Sequence, residues 1–182
     1  MDSRPTTDQV MEVDGLSVTL DRELRIGTLR YLDCTGAFAA CACQALGGPL
    51  PEPLHAAAFV ATANRGEIIL AWRSPTETLV LSFDQASFSK LEIQLASAAD
   101  GCMVDQSGGI WAVRVCGPRI GDLLLRLGAT ASIPAVGEAR TSRIAELSVL
   151  ALCVRAGEVL LLVERVYADH LLEWIRATIR DS

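Results

Sequence analysis

Two histidines are all the imidazole in this chain, aromatic residues make up only 5% of it, and none of its six cysteines stands in a Cys-x-x-Cys pair. The first scarcity leaves little for acid–base catalysis, because a nucleophile needs a base within hydrogen-bond reach. The missing cysteine pairs exclude the zinc-ribbon and thioredoxin-like patterns. No apolar run approaches the roughly 20 residues that a membrane-spanning helix needs before a charge or a glycine interrupts it. The glycine pairs Gly47-Gly48 and Gly108-Gly109 lack the spacing of a phosphate-binding loop, so no nucleotide cradle is read. Basic residues are scattered through a chain of net charge −6, which argues against a sequence-independent nucleic-acid binder. The first ten residues carry Asp2, Arg4 and Asp8 without an apolar stretch behind them, so a cytoplasmic address is expected. In that compartment Cys34, Cys41, Cys43, Cys102, Cys116 and Cys153 are expected to be free thiols, mostly acting as small buried hydrophobes, with no metal site.

What the chain does have is apolar material. Of its 182 residues 51% are hydrophobic, and the mean hydropathy is +0.33. That is enough for one sizeable core or for two small lobes. The surplus apolar surface must be buried internally or against another chain.

Periodicity places the elements. Residues 1–12 read as a flexible terminus, and 13–182 as one domain with two halves at about 13–101 and 102–182. Leu16, Val18 and Leu20 alternate as a half-buried strand that Arg22, Glu23 and Arg25 close. Thr35 to Leu46 predicts an Ala-rich helix with Thr35 as N-cap and Gly47-Gly48 at its end, before the rigid connector Gly48-Pro49-Leu50-Pro51. Strands are predicted over 59–62, 67–72 and 78–83, the first two joined by an Asn64-Arg65-Gly66 turn, and a helix over 87–98. The second half starts at Met103, with a strand over 111–115 and a helix over 120–127 that Pro118 opens and Gly128 caps. Strands over 143–147, 149–155 and 159–163 follow, and then a closing amphipathic helix over 167–179.

An internal repeat runs beneath this order. Asp33-Cys34-Thr35-Gly36 echoes Asp105-Gln106-Ser107-Gly108. The hairpin from Ala71-Trp72-Arg73 to Glu77-Thr78-Leu79 parallels the one from Cys153-Val154-Arg155 to Glu158-Val159-Leu160. The expected fold class is therefore α+β: two pseudo-repeated β-β-α units with mainly antiparallel sheets.

No catalytic set emerges from the candidates. His55 lies in a connector, where an exposed imidazole is expected, and His170 beside Asp169 is a poor dyad because neighbouring helical positions point apart. Asp33 and Asp105 suit turn capping. Arg140 and Arg143, with Thr141 and Ser142, form a weak candidate for an anion site or, more simply, a solvated strand edge. Trp72, Trp111 and Trp174 are core residues or interface anchors.

The ordered segments resemble the gamma-subunit family of heterotetrameric sarcosine oxidase, itself similar to the folate-binding aminomethyltransferase fold of the glycine cleavage system. The resemblance covers about residues 26–179. It rests on Thr35-Gly36 before the Ala-rich helix ending Leu46-Gly47, and on the hairpin Ala71-Trp72-Arg73-Ser74-Pro75-Thr76-Glu77-Thr78-Leu79, with Ser74 where the family usually has glycine. Val104-Asp105-Gln106-Ser107, Cys116-Gly117-Pro118-Arg119 and the last helix with Trp174 add to it. It implies a non-catalytic subunit, with no cofactor of its own, assembled with larger alpha- and beta-type oxidoreductase subunits. FAD, FMN, NAD and tetrahydrofolate would belong to those partners. Because N-methylglutamate dehydrogenase has a similar chain, the amine acted on is left open. A stand-alone folate-binding, aminomethyltransferase-like protein is the alternative, and a homodimeric scaffold a third. Against aminomethyl transfer, the stretch Glu146-Leu147-Ser148-Val149-Leu150-Ala151 lacks the glycine pair and adjacent acids of those enzymes, leaving Glu146 as the one substitute acid, although a vestigial ligand pocket between the halves remains compatible with the pattern.

Overall fold

The computed structural model describes residues 8–13, 15–60, 67–128 and 133–180. The chain packs as two units that interleave in sequence. One comprises residues 24–107, and the other joins residues 1–23 to residues 108–182.

In the central unit the chain runs β1 (Arg25–Tyr31), α1 (Ala37–Leu46), β2 (Ala56–Val60), β3 (Glu67–Ser74), β4 (Glu77–Ser82), α2 (Gln85–Leu95) and β5 (Gly101–Asp105). Its five strands form an antiparallel sheet in the order β2-β3-β4-β1-β5. Apolar residues on one face of that sheet, among them Leu29, Tyr31, Leu70 and Val80, pack with Phe38, Ala42, Leu91 and Leu95 of the two helices. Strands β1 and β4 are buried on both faces, which is why Thr78-Leu79-Val80-Leu81 reads as a continuous run and not as an alternation.

The second unit carries six strands. Two precede the central unit in the chain, β6 (Asp8–Val13) and β7 (Leu16–Asp21). They are followed by β8 (Ile110–Cys116), α3 (Ile120–Arg126), β9 (Glu138–Ile144), β10 (Leu147–Arg155), β11 (Glu158–Glu164), a single 3₁₀ turn over Arg165–Tyr167 and α4 (Ala168–Arg180). The sheet is again antiparallel, in the order β6-β7-β8-β11-β10-β9. On α4 the buried positions Ala168, Leu171, Leu172, Ile175 and Ile179 recur at helical spacing, and they meet Val18, Val113, Val115 and Leu161 of the sheet.

The two units therefore follow one plan: strand, helix, three-strand meander, helix. The strand paired on the outer side of each unit's first strand has a different origin. Strand β5 follows α2 directly, whereas β7 reaches β8 from the N-terminal end of the chain. The α+β class and the antiparallel pairing agree with the sequence reading.

Several local differences have physical causes. Residues 8–12, expected to be flexible, are part of β6, paired with β7. The strand of Leu16, Val18 and Leu20 ends at Asp21, and Arg25, expected to close it, instead begins a second strand, β1, which shows no alternation because it is buried on both faces. Thr35 does not cap α1. Gly36, with no side chain to cap, occupies the N-cap position, while the Thr35 amide and hydroxyl both donate to Asp33 Oδ1, at 2.8 and 2.9 Å. Helix α2 begins at Gln85 because Asp84 accepts hydrogen bonds from the amides of Ala86 and Ser87. Strand β9 ends at Ile144, since Ala145 and Glu146 take positive φ angles of 50° and 64° and turn the chain. The strand expected over 59–62 lies earlier, at Ala56–Val60, and the Asn64-Arg65-Gly66 turn lies outside the described residues.

Candidate functional site

Helix α1 ends where Gly47 adopts φ 74° and its amide, like that of Gly48, donates to the carbonyl of Cys43. Three prolines in the next five residues, Pro49, Pro51 and Pro53, restrict the backbone, so the connector crosses to β2 as a preformed wall. Its far end is tied down: the His55 amide donates to Glu52 O at 3.0 Å, and the Trp72 amide donates to His55 O at 2.9 Å. Between this wall, the end of β1 and the β3–β4 turn lies a pocket of about 410 Å³. That volume is within the range of small-molecule sites.

Tyr31 and Trp72 line it together with Leu50, the thiols of Cys34 and Cys43, the carboxylate of Glu52 and four prolines. The Tyr31 hydroxyl lies 2.9 Å from Thr78 Oγ1, so its polar end is satisfied within the sheet. Burial pushes the Tyr31 phenol above its usual range, partly offset by the hydrogen bond with Thr78. A second, more open depression of about 680 Å³ shares Tyr31 and is rimmed by Arg30, Leu32, Glu77, Asp100 and Cys102. Gly101 on its edge has no room for a side chain, since a Cβ there would run into the Phe38 ring and the Arg30 carbonyl.

The residues singled out in the sequence are dispersed. His55 is exposed, its Nδ1–H donating to Pro53 O at 2.9 Å. His170 lies on the outer face of α4 with its ring centroid 6.3 Å from that of Trp174. Asp33 and Asp105 do the same job at equivalent turns. Each Oδ1 accepts from the amide and the hydroxyl of the residue two positions on, Thr35 or Ser107, with the Asp105 contacts at 2.8 and 2.6 Å. Those bonds hold Asp33 below the ordinary carboxylate range. For Asp105, burial pushes upward, but Ser107 and the Arg25 guanidinium outweigh it and the net direction is down. Arg140 and Arg143 are each matched with a carboxylate of their own strand or turn, Glu138 and Glu146, at 2.9 Å, so they form no joint anion cradle. Glu146, the one substitute acid, is in that exposed turn. Among the described residues no group of three or more His, Cys, Asp or Glu side chains is placed to hold a metal ion. No helix among them is long and apolar enough to cross a membrane.

The repeat is also visible in charge. In the central unit Glu77 opens β4 and pairs with Arg30 at 3.0 Å and Arg73 at 3.6 Å. In the second unit Glu158 opens β11 and pairs with Arg114 and, at 3.6 Å, with Arg155. Arg114 there also holds Asp21 of β7 at 2.9 Å. Of the tryptophans, Trp111 has the guanidinium groups of Arg22 and Arg165 at 5.2 and 5.0 Å from its ring centroid, and Trp174 is 46% exposed on α4.

No protein-family model matches the sequence, and no curated protein matches it significantly. Solved structures do. A chain of the heterotetrameric sarcosine oxidase from Corynebacterium sp. U-96, in complex with pyrrole 2-carboxylate, overlays with a TM-score of 0.76 at 17% identity, covering 95% of this chain and 88% of that one. The fold is that of this sarcosine oxidase chain. The glycine cleavage system aminomethyltransferase T from Bartonella henselae shares it at a TM-score of 0.67 and 12% identity, over 88% of this chain, which spans only 45% of the aminomethyltransferase. The sequence resemblance and the shared aminomethyltransferase-like architecture thus agree at the level of fold. The pocket walled by prolines was not read from the sequence. Its one signal in the sequence is the rigid connector Gly48-Pro49-Leu50-Pro51, which predicts stiffness and no cavity.

Proposed function

We propose that this chain is an accessory, non-catalytic gamma-type subunit of a sarcosine oxidase-like, flavin-dependent amine oxidoreductase. The observation that carries this reading is the near end-to-end overlay on a chain of a heterotetrameric enzyme, in contrast to an overlay that spans less than half of the aminomethyltransferase. In this reading the larger alpha- and beta-type subunits hold FAD, FMN, NAD and tetrahydrofolate, and this chain contributes packing surface. The exposed Val166, Tyr167 and Trp174, on and beside α4, have the composition of an interface centre. The test is affinity recovery of the tagged chain from its native cell extract, with absorbance of the recovered material scanned for flavin. Larger, flavin-bearing chains recovered in fixed ratio are the expected result. A colourless protein recovered alone overturns the subunit reading. If that lone protein also binds tetrahydrofolate, the folate-binding alternative takes its place.

A further inference from the structure

The proline-walled pocket of the central unit has a composition that selects for charge. Two aromatic residues, Tyr31 and Trp72, line it, and among its described lining residues the one acid is Glu52 and none is a lysine or arginine. Aromatic rings attract cations through their quadrupole, most strongly where prolines and other apolar groups keep water away. An anion would meet Glu52 with nothing to neutralise it. The basic neighbours of the two aromatic residues, Arg30 beside Tyr31 and Arg73 beside Trp72, are matched with Glu77 at 3.0 and 3.6 Å. The walls are also preformed, since prolines fix the connector and backbone hydrogen bonds tie it to Trp72, so little ordering cost stands against binding.

We propose that this pocket is a binding site for a small organic cation, an ammonium head on a compact apolar body, with Trp72 and Tyr31 contacting the head and Glu52 at the mouth supplying the counter-charge. The site belongs to the chain itself and does not depend on the subunit reading.

The test uses the full chain labelled with nitrogen-15 and follows the indole N–H of Trp72, assigned by comparison with Trp72→Leu. Choline chloride is titrated in, and in parallel its uncharged isostere 3,3-dimethylbutan-1-ol. The cation is expected to shift the Trp72 resonance saturably and to bind about tenfold more tightly than the isostere. Glu52→Gln, at an exposed position where folding is not at stake, is expected to weaken choline about threefold to fivefold and to leave the isostere unchanged. Added salt narrows the difference between the two ligands. Equal binding of the two ligands overturns the proposal, as does a Trp72 resonance that choline does not move. So does a Glu52→Gln chain, folded by its spectrum, that binds choline as the unaltered chain does.

Discussion

The two units share a path and a hairpin-mouth cluster, yet they treat the same charges differently. In the central unit Glu77 meets Arg30 and Arg73 at the surface, with the two arginine side chains 53% and 40% exposed. In the second unit the matching Glu158 and Arg114 are 18% and 22% exposed, and the cluster extends across β8 to Asp21, whose side chain is 2% exposed. The difference follows from where each closing strand comes from. Strand β7 arrives from the N-terminus carrying an acid at its end, and Arg114 must reach across to it. The same cluster is thus a weak surface network in one unit and a buried clamp across three strands in the other. The proline-walled pocket lies in the central unit, beside the exposed cluster.

Removing the arginine from each cluster should separate the two units most widely. Arg114→Met leaves Asp21 buried without its partner and is expected to cost about 3 kcal/mol or more at neutral pH, read from denaturant unfolding. Arg30→Met removes an exposed pair and should cost under about 1 kcal/mol. Equal effects would show that the two clusters are energetically alike. The cost of Arg114→Met should also shrink in mild acid, because burial already pushes Asp21 above its usual range despite Arg114, and without Arg114 the carboxyl takes up a proton more readily.

Next in size is Tyr31→Phe. It leaves the Thr78 hydroxyl, fully buried in the central sheet, without its partner, for an expected loss of about 1–2 kcal/mol in thermal or denaturant unfolding. It keeps the aromatic ring that lines the pocket, so choline binding should survive it.

Helix capping gives a smaller contrast inside the central unit. Asp84 caps α2 with hydrogen bonds to two amides, whereas α1 starts at Gly36 with no side-chain cap. Asp84→Ala is expected to cost about 1 kcal/mol, whereas at the start of α1 Gly36→Ser should bring little of that benefit, because its Cβ would press against the Asp33 carbonyl at 3.2 Å.

The smallest effect separates the units by pH. Asp33, Asp84 and Asp105, all in the central unit, have values lowered from 3.8, so each contributes stability that is present above 3.8 and lost as pH falls through its folded value. For Asp84 the Ser87 hydroxyl is the main cause. Asp21 in the second unit has a raised value, so its contribution has the opposite sign: it is present below 3.8 and lost as pH rises through the folded value. Segment-resolved hydrogen exchange, corrected for intrinsic rates, should show the central unit losing protection first on acidification below 3.8. Simultaneous loss in both units would remove this distinction.

Much of the fold was legible because apolar periodicity is local. The spacing of Leu171, Leu172, Ile175 and Ile179 predicts α4, and the alternation of Leu16, Val18 and Leu20 predicts β7, each from its own residues. Strand β1 was not legible, since Ile26, Gly27, Thr28 and Leu29 are buried on both faces and carry no period. The β9–β10 turn was missed because Ala145 and Glu146 take up left-handed angles that sequence assigns to glycine or asparagine. The repeated Asp-x-Thr/Ser-Gly turns and the Arg–Glu hairpin mouths were visible as patterns, and the structure turns them into matching hydrogen bonds.

The sequence by itself determined the α+β class and most of the helices, because these follow from interactions among residues a few positions apart, and it carried the repeat as a pattern written twice. Only the tertiary structure decided that the N-terminal strand closes the second sheet, that Asp21 is buried against Arg114, and that a stiff proline connector faces Tyr31 and Trp72 across a pocket. Those juxtapositions join residues tens of positions apart in the chain. No local pattern encodes them, because they depend on which strands become neighbours when the sheets form.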